Sequence, residues 1–184
     1  MLLLLGIGAA KAQVKERVYL KHNLLLLPLG IVNTGLEYRV APRHTVQADL
    51  LFSPWQSFAG EHALLFTVQG EGRYYFRDAF KGFYVGINAG AGVYNFTKWG
   101  HWRMDQYQKG FTYMAGGTLG YQIKLEDYWK LDVFLGGGMV QSQYHGYQYV
   151  SKDRVVRYDG ALGWNKSGEI LPYRGGIMLS YRLK

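Results

Sequence analysis

The feature that most constrains this chain is a period-two alternation of apolar and polar residues over long stretches. Between Gly82 and Asn95, Phe83, Val85, Ile87, Ala89, Ala91 and Val93 fall on one face. Tyr84, Gly86, Asn88, Gly90, Gly92 and Tyr94 fall on the other. The pattern recurs with Phe111, Tyr113, Ala115, Leu119, Tyr121 and Ile123 against Thr112, Gly116, Thr118, Gln122 and Lys124. It recurs again with Leu131, Val133, Leu135 and Met139 against Lys130, Asp132, Gly136, Gly138 and Ser142. Side chains alternate across a strand but return every 3.6 residues on a helix, so these runs specify β-strands.

The spacing predicts about eight strands, near 18–27, 34–41, 44–54, 63–77, 82–95, 110–124, 129–144 and 170–183. Short connections (Ala41-Pro42-Arg43-His44, Asp78-Ala79-Phe80-Lys81, Glu126-Asp127-Tyr128) alternate with longer ones at 55–62, 96–109 and 145–169. Short turns at one end and long loops at the other are the pattern of a membrane barrel. The expected fold is therefore all-β, an eight-stranded antiparallel up-and-down transmembrane β-barrel.

Alternation alone does not distinguish this from a soluble barrel, which turns its apolar face inward. The polar face does. It carries Lys21, Glu37, Arg39, Asp49, Glu71, Arg73, Arg77, Asp132, Arg174 and Arg182, mixed with Gly86, Gly90, Gly92, Gly116, Gly120, Gly136, Gly138 and Gly176. Glycine weakens an exposed strand and adds nothing to solubility. Inside a narrow barrel it makes room for large neighbours. Glu37, Arg39, Asp49, Glu71, Arg73, Asp132 and Arg174 are accordingly expected to form a charge network in the lumen, filling it rather than leaving a pore. The strands also outrun the usual ~5–6 residues of soluble sheets. Trp55, Tyr74, Phe76, Phe83, Tyr113, Tyr128, Trp129, Tyr173 and Tyr181 lie near strand ends, where aromatic girdles settle at membrane interfaces.

The N-terminus agrees. Residues 1–12 hold an apolar run ending in Ala10-Lys11-Ala12, a small-x-small cleavage site, although no basic residue precedes the run. They are expected to be an export signal, with 13–184 forming one barrel domain in the outer membrane. The chain lacks Cys, which removes disulfides and thiolate metal sites from consideration. Its net charge of +8 is spread along the chain rather than gathered in a basic helix or block, so nucleic acid is not an expected partner.

Several segments together resemble domain-of-unknown-function family 3575. These are Leu20-Lys21-His22-Asn23-Leu24-Leu25, Asn33-Thr34-Gly35-Leu36-Glu37-Tyr38-Arg39, the strand ending at Trp55, Arg73-Tyr74-Tyr75-Phe76, Gly116 to Tyr121, and Trp129-Lys130-Leu131. Tyr75 stands where that family usually has Trp, the 145–169 connection is longer than expected, and the last strand ends in Leu183-Lys184 rather than an aromatic residue. The resemblance implies an outer-membrane barrel of the kind common in Bacteroidota. It carries no catalytic residues over.

Chemistry is harder to find. His22, His44, His62, His101 and His145 show no metal-ligand spacing on one element, and no cofactor motif appears. Neither a metal nor a cofactor is expected. Gly136-Gly137-Gly138 lacks the Lys-Ser/Thr and helix of a phosphate loop. His101 and His145 could approach Asp105 across two outer loops. Ser142, His145, Ser151 and Asp153 cluster in sequence, but a triad is defined by geometry, not spacing. The leading expectation is a non-enzymatic structural or interaction protein. Its outer loops would offer Trp99, Trp102, Arg103, Arg154 and Arg157 to outer-membrane lipid or lipopolysaccharide, a glycan or a protein. A lipid A-modifying enzyme and a soluble periplasmic ligand-binding barrel are the alternatives.

Overall fold

The computed structural model describes residues 18–98, 105–151, 154–158, 160 and 163–183. Nine antiparallel strands form a single sheet: β1 (Val18–Asn23), β2 (Val32–Ala41), β3 (His44–Phe58), β4 (Glu61–Tyr75), β5 (Gly82–Phe96), β6 (Gln106–Lys124), β7 (Trp129–Ser151), β8 (Arg154–Arg157) and β9 (Asn165–Arg182). Eight of them close a ring. Each ring strand pairs with its neighbours in the chain, and β1 pairs back onto β9, with Tyr19 opposite Arg182 and Asn23 opposite Met178. β8 stands outside the ring, paired to the far end of β7. One single-turn 3-10 segment, Leu27–Leu29, lies between β1 and β2. Among the described residues, no helix is long and apolar enough to cross a membrane. The proposed export signal at 1–12 lies outside the described residues.

The expected strands form, and among the described residues they run on into parts of the long connections. Residues 55–62 belong to β3 and β4, which run on to pair Phe58 with Glu61. Only Ala59 (φ 52°) and Gly60 (φ 90°) turn the chain, and two positive φ values suit the right-handed twist of a hairpin. Within 96–109, Phe96 and residues 106–109 are strand, and so are 145–151, 154–157 and 165–169 of the last connection. β6 and β7 extend in register to Gln106 opposite Gln148, and β8 adds a third strand to this arm. Sequence pattern misses these extensions because Tyr107, Tyr147 and Tyr149 alternate there with polar residues and Gly, without the aliphatic run of the ring strands.

The end of the ring at the connections 41–44, 76–81 and 125–128 is called the turn end here, and the opposite end the rim. At the turn end, residues 76–81 fold back into the ring. The Ala79 N–H donates to the Pro42 carbonyl (2.8 Å). Phe80, with φ 68°, places its fully buried ring 4.6 Å from that of Tyr19. Phe80 was expected in a surface turn. It is instead the centre of a small aromatic core with Tyr19, Tyr75, Tyr84, Phe134 and Met178. The burial of that ring offsets a backbone conformation that costs an L-residue roughly 1–2 kcal/mol.

The distribution of side chains is inverted relative to an ordinary soluble protein. Ile87 is 78% exposed, Leu119 and Leu135 are each 66% exposed, and Ile170 is 84% exposed. Lys21, Glu37, Arg73 and Asp132 are buried inside the ring. Glycines supply the room. A Cβ on Gly120 would lie 2.3 Å from the Tyr84 ring, and one on Gly86 would lie 2.4 Å from a Glu71 carboxylate oxygen. Gly120 sits directly opposite Tyr84, while Gly86 sits opposite Arg73 and diagonal to Glu71.

Candidate functional site

The ring interior is layered. Above the aromatic floor lies a network of fully buried charges. Lys21 on β1 donates to Glu37 on β2 (2.8 Å), to Gln47 on β3 (2.9 Å) and to Asp132 on β7. Arg73 on β4 bridges Asp132 (2.8 Å), Glu71 (2.7 Å) and Glu37 (3.2 Å). Tyr75 and Tyr84 donate their hydroxyls to Glu37 Oε1 (2.7 Å) and Asp132 (2.9 Å), and Thr45 donates to the same Glu37 oxygen (2.6 Å). Charges buried this deeply persist only when paired and hydrogen-bonded, because desolvation otherwise dominates.

Arg174 on β9 sits one layer nearer the rim and pairs with Asp49 (3.1 Å) and Glu71 (3.2 Å). Lys130 is also buried, with its ammonium 4.7 Å from the Tyr19 ring centre and 5.1 Å from that of Phe80. The buried charged residues are then Lys21, Arg73, Lys130 and Arg174 against Glu37, Asp49, Glu71 and Asp132. Among the described residues, buried cations and carboxylates match one for one.

Six of the seven residues expected in the network are therefore brought together. Arg39 is not. Its guanidinium bends to the turn end and donates to the carbonyls of Ala41 (3.3 Å) and Pro42 (3.1 Å). Arg77, on the same predicted face, is exposed beyond the end of β4. Both have the inward parity of their strands but lie past the last full layer. Lys21 and Lys130 belong to the interior as well, although the sequence reading does not place them in the network. The signal for them was the same parity on β1 and β7.

Tyr173 is a second departure. The alternation puts it on the outer apolar face, among the girdle aromatics. A bulge places two residues of β9 opposite one of β7, with Gly136 facing Arg174 and Gly138 facing Leu171. The extra residue turns Tyr173 inward, where its hydroxyl donates to Asn88. Asn88 in turn donates to Thr118 (2.9 Å). Above this layer the ring holds a cavity of about 410 Å³, lined by Asn33, Asp49, Leu51, Gln69, Phe134, Tyr173 and Arg174, with Leu26 and Pro172 at its side.

A family model described as a protein of unknown function, DUF3575, matches residues 1–173. The chain belongs to that family. No curated protein and no solved structure matches it.

At the rim of this DUF3575 protein, the expected binding residues separate. Trp99, Trp102 and Arg103 lie outside the described residues, while Arg154 and Arg157 sit at the two ends of β8, beyond the ring. Lys98 crosses the mouth to Glu169 on β9 (3.1 Å). His62 meets the Tyr149 hydroxyl at 3.2 Å, and its ring lies 4.1 Å from that of Tyr107. Ser142 faces inward, donating to Thr112 (3.2 Å). His145 takes the opposite parity and stacks on Trp164 at 4.1 Å, so Ser142 and His145 do not meet. His101 and Asp153 lie outside the described residues. Among the described residues, no group of three His, Cys, Asp or Glu side chains is placed to hold a metal ion.

Proposed function

We propose that this protein is an exported outer-membrane β-barrel that anchors a surface-exposed arm and allows no free flow through its lumen. The observation that carries the reading is the inversion of faces. Leu36, Ile87, Leu119, Val133, Leu135 and Met139 ring the outside as an apolar band, while the buried charges lie within. Exposed to water, such a band would exceed the few hundred Å² of contiguous apolar surface that monomeric soluble proteins tolerate. Facing lipid, it is the ordinary outer surface of a small barrel. Tyr74, Phe76, Phe83, Tyr121, Tyr128, Trp129 and Tyr181 are exposed near the turn end, as an interfacial girdle would be.

An eight-stranded barrel is just wide enough for side chains to fill it. Here the Phe80 floor and the charge layer close the turn-end half. The rim arm, with Arg154 and Arg157, is the part offered to anionic lipopolysaccharide, a glycan or a protein. In this orientation the short turns face the periplasm.

The test is fractionation and heat-modifiability of the full chain. The expected protein requires detergent for extraction from outer membranes and runs faster on a denaturing gel before boiling than after. Recovery in the soluble fraction without detergent, with one mobility, would overturn the proposal.

A further inference from the structure

The wall of the ring is uneven, and the unevenness coincides with the cavity above the charge network. β1 pairs with β9 only as far as Asn23 opposite Met178. Beyond it, Leu24 donates to the Ile177 carbonyl (2.8 Å) and the Asn23 side chain to the Gly175 carbonyl (3.1 Å). From there to Asn165, β9 has β7 on one side and no strand among the described residues on the other. On the far side of the same gap, β2 reaches only Val32 opposite Phe52, and β3 continues to Phe58 paired to β4 alone. β1 and β2 thus stop short of the upper wall between β9 and β3, a width of three inter-strand spacings, about 14 Å, in a regular sheet. The segment 24–31 forms the lower edge of this opening, pinned by the Trp55 indole donating to the Leu29 carbonyl (2.7 Å). Pro172, which has no N–H to leave unpaired, occupies the open edge of β9.

The cavity lies behind this opening, with Leu26, Pro172 and Gly175 at its mouth and Asn33, Gln69 and Arg174 deeper in. Two of its lining side chains carry buried polar atoms without a hydrogen-bond partner among the described residues. They are Nε and Nη1 of Arg174 and the amide oxygen of Gln69. Buried polar groups are rarely left so, and each one asks for an explanation. The missing partner must offer acceptors to a guanidinium and a donor to a carbonyl oxygen. It need not carry charge, because among the described residues the buried cations already match the carboxylates one for one. An added anion would sit beside Asp49 and Glu71, both already bound to Arg174.

We infer that this cavity binds the head of an uncharged single-chain amphiphile, entered sideways through the gap between β9 and β3. Ester or hydroxyl oxygens accept from Arg174, a hydroxyl donates to Gln69, and the chain leaves past Leu26 and Pro172 toward the apolar outer surface. The volume is within the ~300–1,000 Å³ of small-molecule sites. The inference rests on the membrane-barrel reading, since it is the surrounding lipid that would supply the ligand.

The test uses the full chain, folded and exchanged into amphipol, with binding read by native mass spectrometry. The probes are 1-monolauroylglycerol, sodium laurate at pH 9 and glycerol. One 1-monolauroylglycerol per chain is expected, held at least tenfold more tightly than laurate, with no retention of glycerol. Leu26→Trp, which fills the mouth and leaves the Arg174–Asp49 pair intact, is expected to weaken binding at least tenfold. Arg174→Met should do the same where it folds, and Leu26→Trp carries the test where it does not. Equal retention by wild type and Leu26→Trp would reduce the effect to surface partition and overturn the site. Tighter laurate binding would overturn the uncharged head. A heat-modifiable wild type that binds no probe defeats only this inference, whereas a wild type with no heat-modifiable form defeats the barrel reading itself.

Discussion

The turn-end half and the rim half of this molecule are built on different principles. In the turn-end half every ring strand has two neighbours, and the interior is filled by the Phe80 cluster and the Lys21–Glu37–Arg73–Asp132 network. In the rim half two strands stop early and β9 carries a bulge beside the cavity. The difference teaches where this fold spends its packing. A side-chain-filled half can hold the ring closed, leaving the other half free to carry a cavity, a side opening and a projecting arm.

Replacing a network residue should break the turn-end half most severely. Asp132 accepts from Lys21, Arg73 (2.8 Å) and Tyr84 (2.9 Å). Asp132→Ala leaves Lys21 and Arg73 with Glu37 and Glu71 but the buried network one carboxylate short, and should cost about 3–5 kcal/mol, read as a lower denaturation midpoint in detergent. A loss under about 1 kcal/mol would mean the network does not hold this half together.

A charge on the outer band tests what that band faces. Leu119→Arg should cost about 2–4 kcal/mol in lipid bilayers if its position is near the midplane. In a water-facing protein the same change would be nearly neutral, so the measurement separates the two environments. Gly120→Val probes the glycine-for-tyrosine exchange, because a Cβ there meets the Tyr84 ring at 2.3 Å. Overpacking of this kind costs roughly 1–3 kcal/mol, and Tyr84→Ala in the same chain should recover part of the glycine-specific loss.

The smallest effect is expected at the rim. Arg154→Ala with Arg157→Ala should change stability by less than about 0.5 kcal/mol, since β8 lies outside the ring. Binding to lipopolysaccharide-containing vesicles should nevertheless weaken, and more so at low salt, where exposed charges act furthest. Unchanged vesicle binding would remove these arginines from the proposed surface.

Much of the interior was legible before any coordinates. Period two assigned Glu37, Asp49, Glu71, Arg73, Asp132 and Arg174 to one face, and the glycines on that face pointed to a crowded interior. Arg39 and Arg77 share the parity but not the depth, and parity carries no information about depth along a strand. Tyr173 was misplaced because one bulge reverses the faces locally, and a bulge is a property of pairing rather than of one strand. Phe80 was hidden because a short polar-flanked connection reads as a surface turn. Only its packing against Tyr19 and Tyr75 reveals that the turn folds inward.

By itself, the sequence determined that the chain forms long antiparallel strands with charged and glycine residues on one face and apolar residues on the other. That follows because side-chain direction along a strand is a local consequence of backbone geometry. Only the tertiary structure decided where each strand stops, which residues the bulge turns inward, and that the upper wall opens beside Arg174. Those depend on register between strands far apart in sequence, where hydrogen bonds to a neighbour, not the residues of one strand, set the limits of the wall.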